Sequence, residues 1–91
     1  MIRQPLLVTN RRGLHARAAA KLVRLVCGFS SEVRLSRENQ NQHIDARSIL
    51  GILMMAASQG TSLIATIDGV DETVAGEAIR ELFENGFGEE G

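Results

Sequence analysis

A single cysteine, a single proline and the lack of any long apolar run bound what this chain of 91 residues can be. Cys27 has no second thiol to pair with, so no intrachain disulfide forms and no metal-ligand cluster can be built from thiols. No metal and no cofactor is expected. The longest apolar stretch, Ile49 to Ala57, is too short to span a bilayer and is broken by Gly51. Arg3, Gln4 and Pro5 interrupt any apolar run at the N-terminus, so no signal peptide is expected. Repeats, low-complexity stretches and interdomain linkers are also missing. These absences point to a cytoplasmic protein without membrane insertion.

What is present is an ordinary globular composition, 44% hydrophobic and 23% charged, in one domain spanning residues 1–91. Net charge is −1, which argues against a nucleic-acid partner. The charges are unevenly placed. Arg3, Arg11, Arg12, Arg17, Lys21, Arg24, Arg34 and Arg37 face only Glu32 in the first 37 residues, whereas the tail from Asp68 onward is acidic. A basic face of that kind suits an acidic partner.

Hydrophobic periodicity supplies the elements. Ile2 to Thr9 reads as a strand, with Pro5 marking a sheet edge. Asn10 to Gly13 is a turn. From Ala16 to Cys27 the pattern is helical, with Ala19, Leu22, Val23 and Val26 on one buried face and Gly28 as the stop. Ser31 to Arg37 alternates, Val33 and Leu35 inward against Glu32, Arg34 and Ser36 outward. Glu38 to Gln42 forms a hairpin loop and His43 to Asp45 a short return strand. A second helix is expected from about Arg47 to Ser58, ending at Gly60. Thr61 to Ile67 alternates again, with Leu63, Ala65 and Ile67 on one face. Asp71 or Asp68 is placed to cap a last helix with a stripe of Val74, Ala78, Ile79, Leu82 and Phe83, closed by Asn85-Gly86. The order βαββαβα is an α+β fold, an antiparallel sheet with helices on one face.

The chemistry-bearing segment is Gly13-Leu14-His15-Ala16-Arg17. It sets a histidine at the mouth of the first helix, beside unpaired N–H groups and the positive end of the helix dipole. Arg17 adds a forked cation suited to phosphate oxygens, in a first turn where helix stability alone disfavours a cation. Ala16, Ala18, Ala19 and Ala20 are expected to leave the surroundings uncrowded. The helix terminus and Arg17 both disfavour the imidazolium, so the ring offers a lone pair for attack on phosphorus, and the same groups then hold the phosphoryl group. A lone histidine is more often a surface or capping residue; Arg17 and the helix start carry the reading beyond that.

The segment Asn10 to Val23, NRRGLHARAAAKLV, resembles the phosphohistidine motif of the histidine-containing phosphocarrier family of the bacterial phosphotransferase system. The resemblance continues through Gly28-Phe29, Ser31-Glu32-Val33, Arg47 to Met54 and Gln59-Gly60, nearly the whole chain. It implies an open-faced β-sandwich with four antiparallel strands and three helices. It also implies a carrier histidine at His15 and phosphate contacts at Ala16, Arg17 and Ala18. The activity implied is stoichiometric carriage of a phosphoryl group from Enzyme I to an EIIA-type protein, not enzymatic turnover. Many sugar-branch members carry proline where this chain has Ala18; the alanines, the Asn85-Gly86-Phe87 ending and the acidic tail look more like the nitrogen-branch carrier.

The second helix is apolar around much of its circumference. Ile52, Met55 and Ala56 are expected to be buried, leaving Ile49, Leu50, Leu53 and Met54 as a partly exposed patch suited to protein contact. Arg17, Lys21 and Arg24 form a basic stripe on the first helix, with Ala16 and Ala20 between, and the resemblance implies that partners dock on these two helices. Ser48 is placed as an N-cap and matches the family's regulatory serine, which implies a kinase/phosphorylase as a further partner. His43 is expected to be exposed and without function, and Cys27 to pack rather than react. A monomer suffices for transient docking. The competing reading from another class is a regulatory binding module whose phosphorylation state controls partner enzymes or transcription factors.

Overall fold

The computed structural model describes residues 1–89. Four strands, β1 (Ile2–Leu7), β2 (Glu32–Arg37), β3 (Ile44–Asp45) and β4 (Ser62–Asp68), form one antiparallel sheet in the order β1-β4-β2-β3. Helices α1 (Ala16–Cys27), α2 (Ile49–Met54) and α3 (Glu72–Glu84) complete the βαββαβα order, and a 3-10 turn at Gly86–Gly88 follows. Among the described residues, no helix is long and apolar enough to cross a membrane.

The two-residue period of the strands puts Leu6, Val33, Leu35, Leu63, Ala65 and Ile67 into the core. Helices α1 and α3 close that face, and the opposite face stays open. Pro5 sits opposite Ile64 on β1, an edge strand paired only with β4, where a missing N–H is tolerated. Ser36 departs from expectation: it lies opposite Ile64 in the middle of the sheet, where so short a side chain is occluded and buried. The return strand is one residue shorter than expected, with His43 exposed ahead of it.

On α1, Ala18, Ala19, Leu22 and Val26 are buried, and Val23 is half-buried. Full burial of a side chain such as Leu22 contributes about 1.5–3 kcal/mol. The alanines therefore do not simply clear space around His15: Ala18 and Ala19 share the helical face of Leu22 and Val26 and are core residues. Gly28 does end the helix, but with a right-handed φ of −80°, its N–H tightening onto the Leu25 carbonyl at 3.1 Å. Cys27 is exposed at this helix end rather than packed into the core as expected, because the inward face passes through Val26.

Helix α2 is half the expected length. It stops at Met54 because Ala56 takes a left-handed φ of 49° and the Ala57 carbonyl accepts from the Leu14 N–H at 2.9 Å. Ile52 is buried as expected and Met55 half-buried, but Ala56 is exposed and Ala57 takes the inward place. The stripe of α3 is likewise rotated: Ala75, Gly76, Ile79 and Phe83 are buried, Ala78 and Leu82 are half-buried, and Val74 is exposed. Gly76 causes this by allowing close approach to the sheet, since a Cβ there would lie 2.9 Å from Ile2 Cδ1.

Asp71 occupies the N-cap position of α3 without capping it. Its carboxylate instead accepts from the Ser30 N–H (2.8 Å), the Ser31 N–H (3.0 Å) and the Ser31 hydroxyl, tying α3 to the link between α1 and β2. The Ser31 hydroxyl above all, then the Ser30 N–H, hold the Asp71 carboxyl below its ordinary value of 3.8. A depressed folded value stabilises the fold above the ordinary range, and that contribution is lost as pH falls through the folded value. Thermal melts are therefore expected to show Asp71→Asn melting below the wild type near neutral pH, with the gap closing as pH falls below 3.8 and through the lower folded value. A gap independent of pH would overturn this.

Candidate functional site

The site begins with a turn. Gly13 adopts φ +66°, and a Cβ on it would fall 2.4 Å from the Ala57 carbonyl oxygen, so both the conformation and the space demand glycine. The Asn10 amide nitrogen donates to the Gly13 carbonyl at 2.8 Å and fixes the turn from inside. Leu14 is then buried, its N–H tied to Ala57 at the end of α2. His15 follows as the N-cap of α1, in extended backbone with φ −79° and ψ −178°.

The two ring nitrogens of His15 have different partners. Nδ1 accepts from the Arg17 backbone N–H at 3.4 Å, a long contact. Nε2 meets the Glu89 carboxylate. The first bond inside α1 runs from the Ala19 N–H to the His15 carbonyl at 2.8 Å, so the N–H groups of Ala16, Arg17 and Ala18 point out of the helix end. Among the described residues the Arg17 guanidinium has no hydrogen-bond or ion-pair partner, and the residue is exposed. Ala16, Arg17, Ala18 and His15 are thus brought together as expected, Ala18 through its backbone only.

Glu89 is the residue that sequence reasoning missed. Its other oxygen accepts from Asn10 Nδ2 at 2.8 Å, so Asn10 bridges the turn and the tail. That donation chiefly, then contact with His15 and the Arg12 charge, hold the Glu89 carboxyl below its ordinary value of 4.5. The tail is held on the way by Lys21, whose Nζ donates to the Phe87 carbonyl at 2.6 Å, and by the Phe87 ring edge-on to Phe83, centroids 4.9 Å apart. Lys21 is consequently half-buried rather than a free member of a basic stripe; Arg24 is exposed and Ala20 half-buried. The acidic tail was visible as a charge asymmetry, and one of its carboxylates, Glu89, pairs within the chain.

Beside this site stands α2, packed on α1. Leu50 is 68% and Met54 77% exposed, Ile49 is also exposed, and Leu53 is half-buried, close to the expected patch. Ser48 caps α2 as expected, its Oγ accepting from the Gly51 N–H at 3.0 Å.

An open-faced antiparallel sandwich with a histidine set at the N-terminus of its first helix defines the class. Residues 2–85 match the family described as the PTS HPr component phosphorylation site. The phosphocarrier protein HPr of Xylella fastidiosa strain 9a5c is 48% identical over 99% of both chains. The phosphocarrier protein NPr of Escherichia coli K12 is 35% identical over 98% of both. The crystal structure of HPr-C-His from Thermoanaerobacter tengcongensis superposes with a TM-score of 0.91 at 37% identity, covering 99% of each chain. The chain belongs to the HPr family.

Because Gly13 shapes the approach to His15, Gly13→Ala is expected to cost about 1–3 kcal/mol in backbone strain alone. The contact with Ala57 adds to that cost, and chemical denaturation measures the total. Stability within about 0.5 kcal/mol of wild type would contradict this account of the turn.

Proposed function

We propose that this chain is a phosphoryl carrier of the phosphotransferase system, taking the group from Enzyme I onto His15 and passing it to an EIIA-type acceptor. The observation that carries the reading is the His15 ring capping α1 with Nδ1 turned to the Arg17 N–H. Nδ1 attacks phosphorus in line as the donor's P–N bond breaks. The phosphoryl oxygens then replace the long 3.4 Å contact with the outward N–H groups of Ala16, Arg17 and Ala18, and the Arg17 guanidinium swings onto them. Phosphoryl transfer of this kind asks for positioning and charge stabilisation rather than further catalytic groups. Each such exposed contact contributes about 0.3–1 kcal/mol, enough to hold the group and little enough to release it. The chain acts stoichiometrically, in the cytoplasm, and as a monomer.

Partners meet an apolar centre of Ile49, Leu50, Leu53 and Met54 rimmed by Arg17 and Arg24, with Ala16 and Ala20 allowing close approach. Identity does not single out the nitrogen branch, since the HPr of Xylella fastidiosa shares more of the chain than NPr does. The regulatory-module reading differs in one consequence: its label on His15 would not move on.

With Enzyme I and phosphoenolpyruvate, the wild type is expected to take an acid-labile label that chases to an EIIA protein. Folded His15→Ala takes none, and Arg17→Ala is slowed about tenfold. Label on His15→Ala would overturn the assignment, and a label that never chases would favour the regulatory module.

Ser48 stands exposed at the edge of the docking patch, open to a protein kinase. A phosphate there sits well on the helix end yet places negative charge in the patch. Ser48→Asp is expected to bind the phosphoryl donor more weakly than wild type while melting at a similar temperature. Equal affinity, by titration calorimetry, would count against the switch.

A further inference from the structure

We infer that Glu89 is a positioning residue for His15: its carboxylate holds the hydrogen on Nε2, which makes Nδ1 the accepting nitrogen and lets the group arrive and leave without a proton moving. This rests on the carrier reading above and extends it to a residue beyond the family match, which ends at residue 85.

Both nitrogens are assigned by their partners. An ionised carboxylate can only accept, so the nitrogen against it carries the hydrogen. A backbone N–H can only donate, so the nitrogen facing Arg17 carries the lone pair. The two contacts agree on one neutral tautomer.

The carboxylate is delivered and held rather than laid across the surface. Gly86, Phe87 and Gly88 all lie in the left-handed region, at φ 58°, 57° and 73°. For phenylalanine that conformation is strained, and it is kept because the ring is buried on Phe83 and the carbonyl is bonded by Lys21. Asn10, 4% exposed, turns its amide nitrogen to both Gly13 and Glu89 and leaves its own Oδ1 buried without a partner among the described residues. The amide is therefore oriented by these two acceptors. Arg12 adds attraction for the carboxylate.

In the forward step the Nδ1 lone pair forms the bond to phosphorus, and the electrons of the donor's P–N bond return to the donor's ring. The His15 ring becomes an N-phosphoryl imidazolium, its positive charge facing the Glu89 carboxylate, with the hydrogen still on Nε2. In the onward step the P–N electrons return to Nδ1 and the departing ring is neutral imidazole, the better leaving group. Without Glu89 no acceptor holds the hydrogen on Nε2, and a ring that lacks it must depart as an imidazole anion or wait for reprotonation.

The test uses the full chain as wild type, Glu89→Gln and Glu89→Ala. Ring 15N spectra of wild-type His15 are expected to show the hydrogen on Nε2, and those of Glu89→Ala a mixture of tautomers. Both variants still accept label from Enzyme I, but their onward transfer to an EIIA protein is expected to slow about tenfold or more. Glu89→Gln, of the same shape, keeps the tail docked, so a slow transfer there reports charge rather than folding. Hydrogen on Nδ1 in the wild type, or onward transfer at the wild-type rate in both variants, overturns the inference. A wild type that takes no label overturns the carrier reading instead, a separate result.

Discussion

A hydrogen bond of 2.9 Å from the Leu14 N–H to the Ala57 carbonyl joins the start of α1 to the end of α2, and the site is arranged around it. To make that bond, Ala57 leaves the helical path, which shortens α2 and forces Ala56 into a left-handed conformation. The same approach brings Ala57 so close that only glycine fits at position 13. Leu14, drawn into the core, leaves His15 the first side chain after the turn able to face outward, in the extended conformation an N-cap requires. The histidine is therefore presented by packing between two helices, and the apolar patch of α2 is held beside it by the same contact.

The elements and their faces were legible where a single period decides them. Apart from Ser36, β2 and β4 are buried as they alternate, and α1 begins and ends at the residues its pattern indicates. Legibility failed where a tertiary contact competes with a local preference. The apolar run from Ile49 to Ala57 is a good helix by composition, but a carbonyl needed elsewhere cuts it short. Asp71 has the residue type and position of a cap, but three donors across the α1–β2 link outcompete its own helix. The rotation of the α3 stripe depends on Gly76 meeting Ile2, a contact between residues far apart in the chain.

For the site, the local part could be read and the distant part could not. His15, Arg17 and the first-turn amides lie within a few residues of each other, so helix geometry alone brings them together. Glu89 reaches His15 from the other end of the chain, through three left-handed residues, and no periodicity reports that. Its one signal was charge: a basic first third and an acidic tail. The complementarity expected of an external partner is partly satisfied inside the molecule, where Arg12 and His15 face Glu89.

That internal pairing bears on how a carrier differs from a phosphate-binding site. On the proposed reading, the helix amides and Arg17 favour a phosphoryl dianion on Nδ1, and acting alone a tighter site would only hold the group longer. On the inference drawn above, Glu89 acts on the other nitrogen and keeps its hydrogen in place, so that the ring departs neutral. The His15 side chain is 24% exposed and that of Glu89 13%, so neither influence is amplified by deep burial. A contact worth about 1 kcal/mol shifts the balance between holding and releasing by several-fold. A relay that must accept from one histidine and give to another requires a balance of that size.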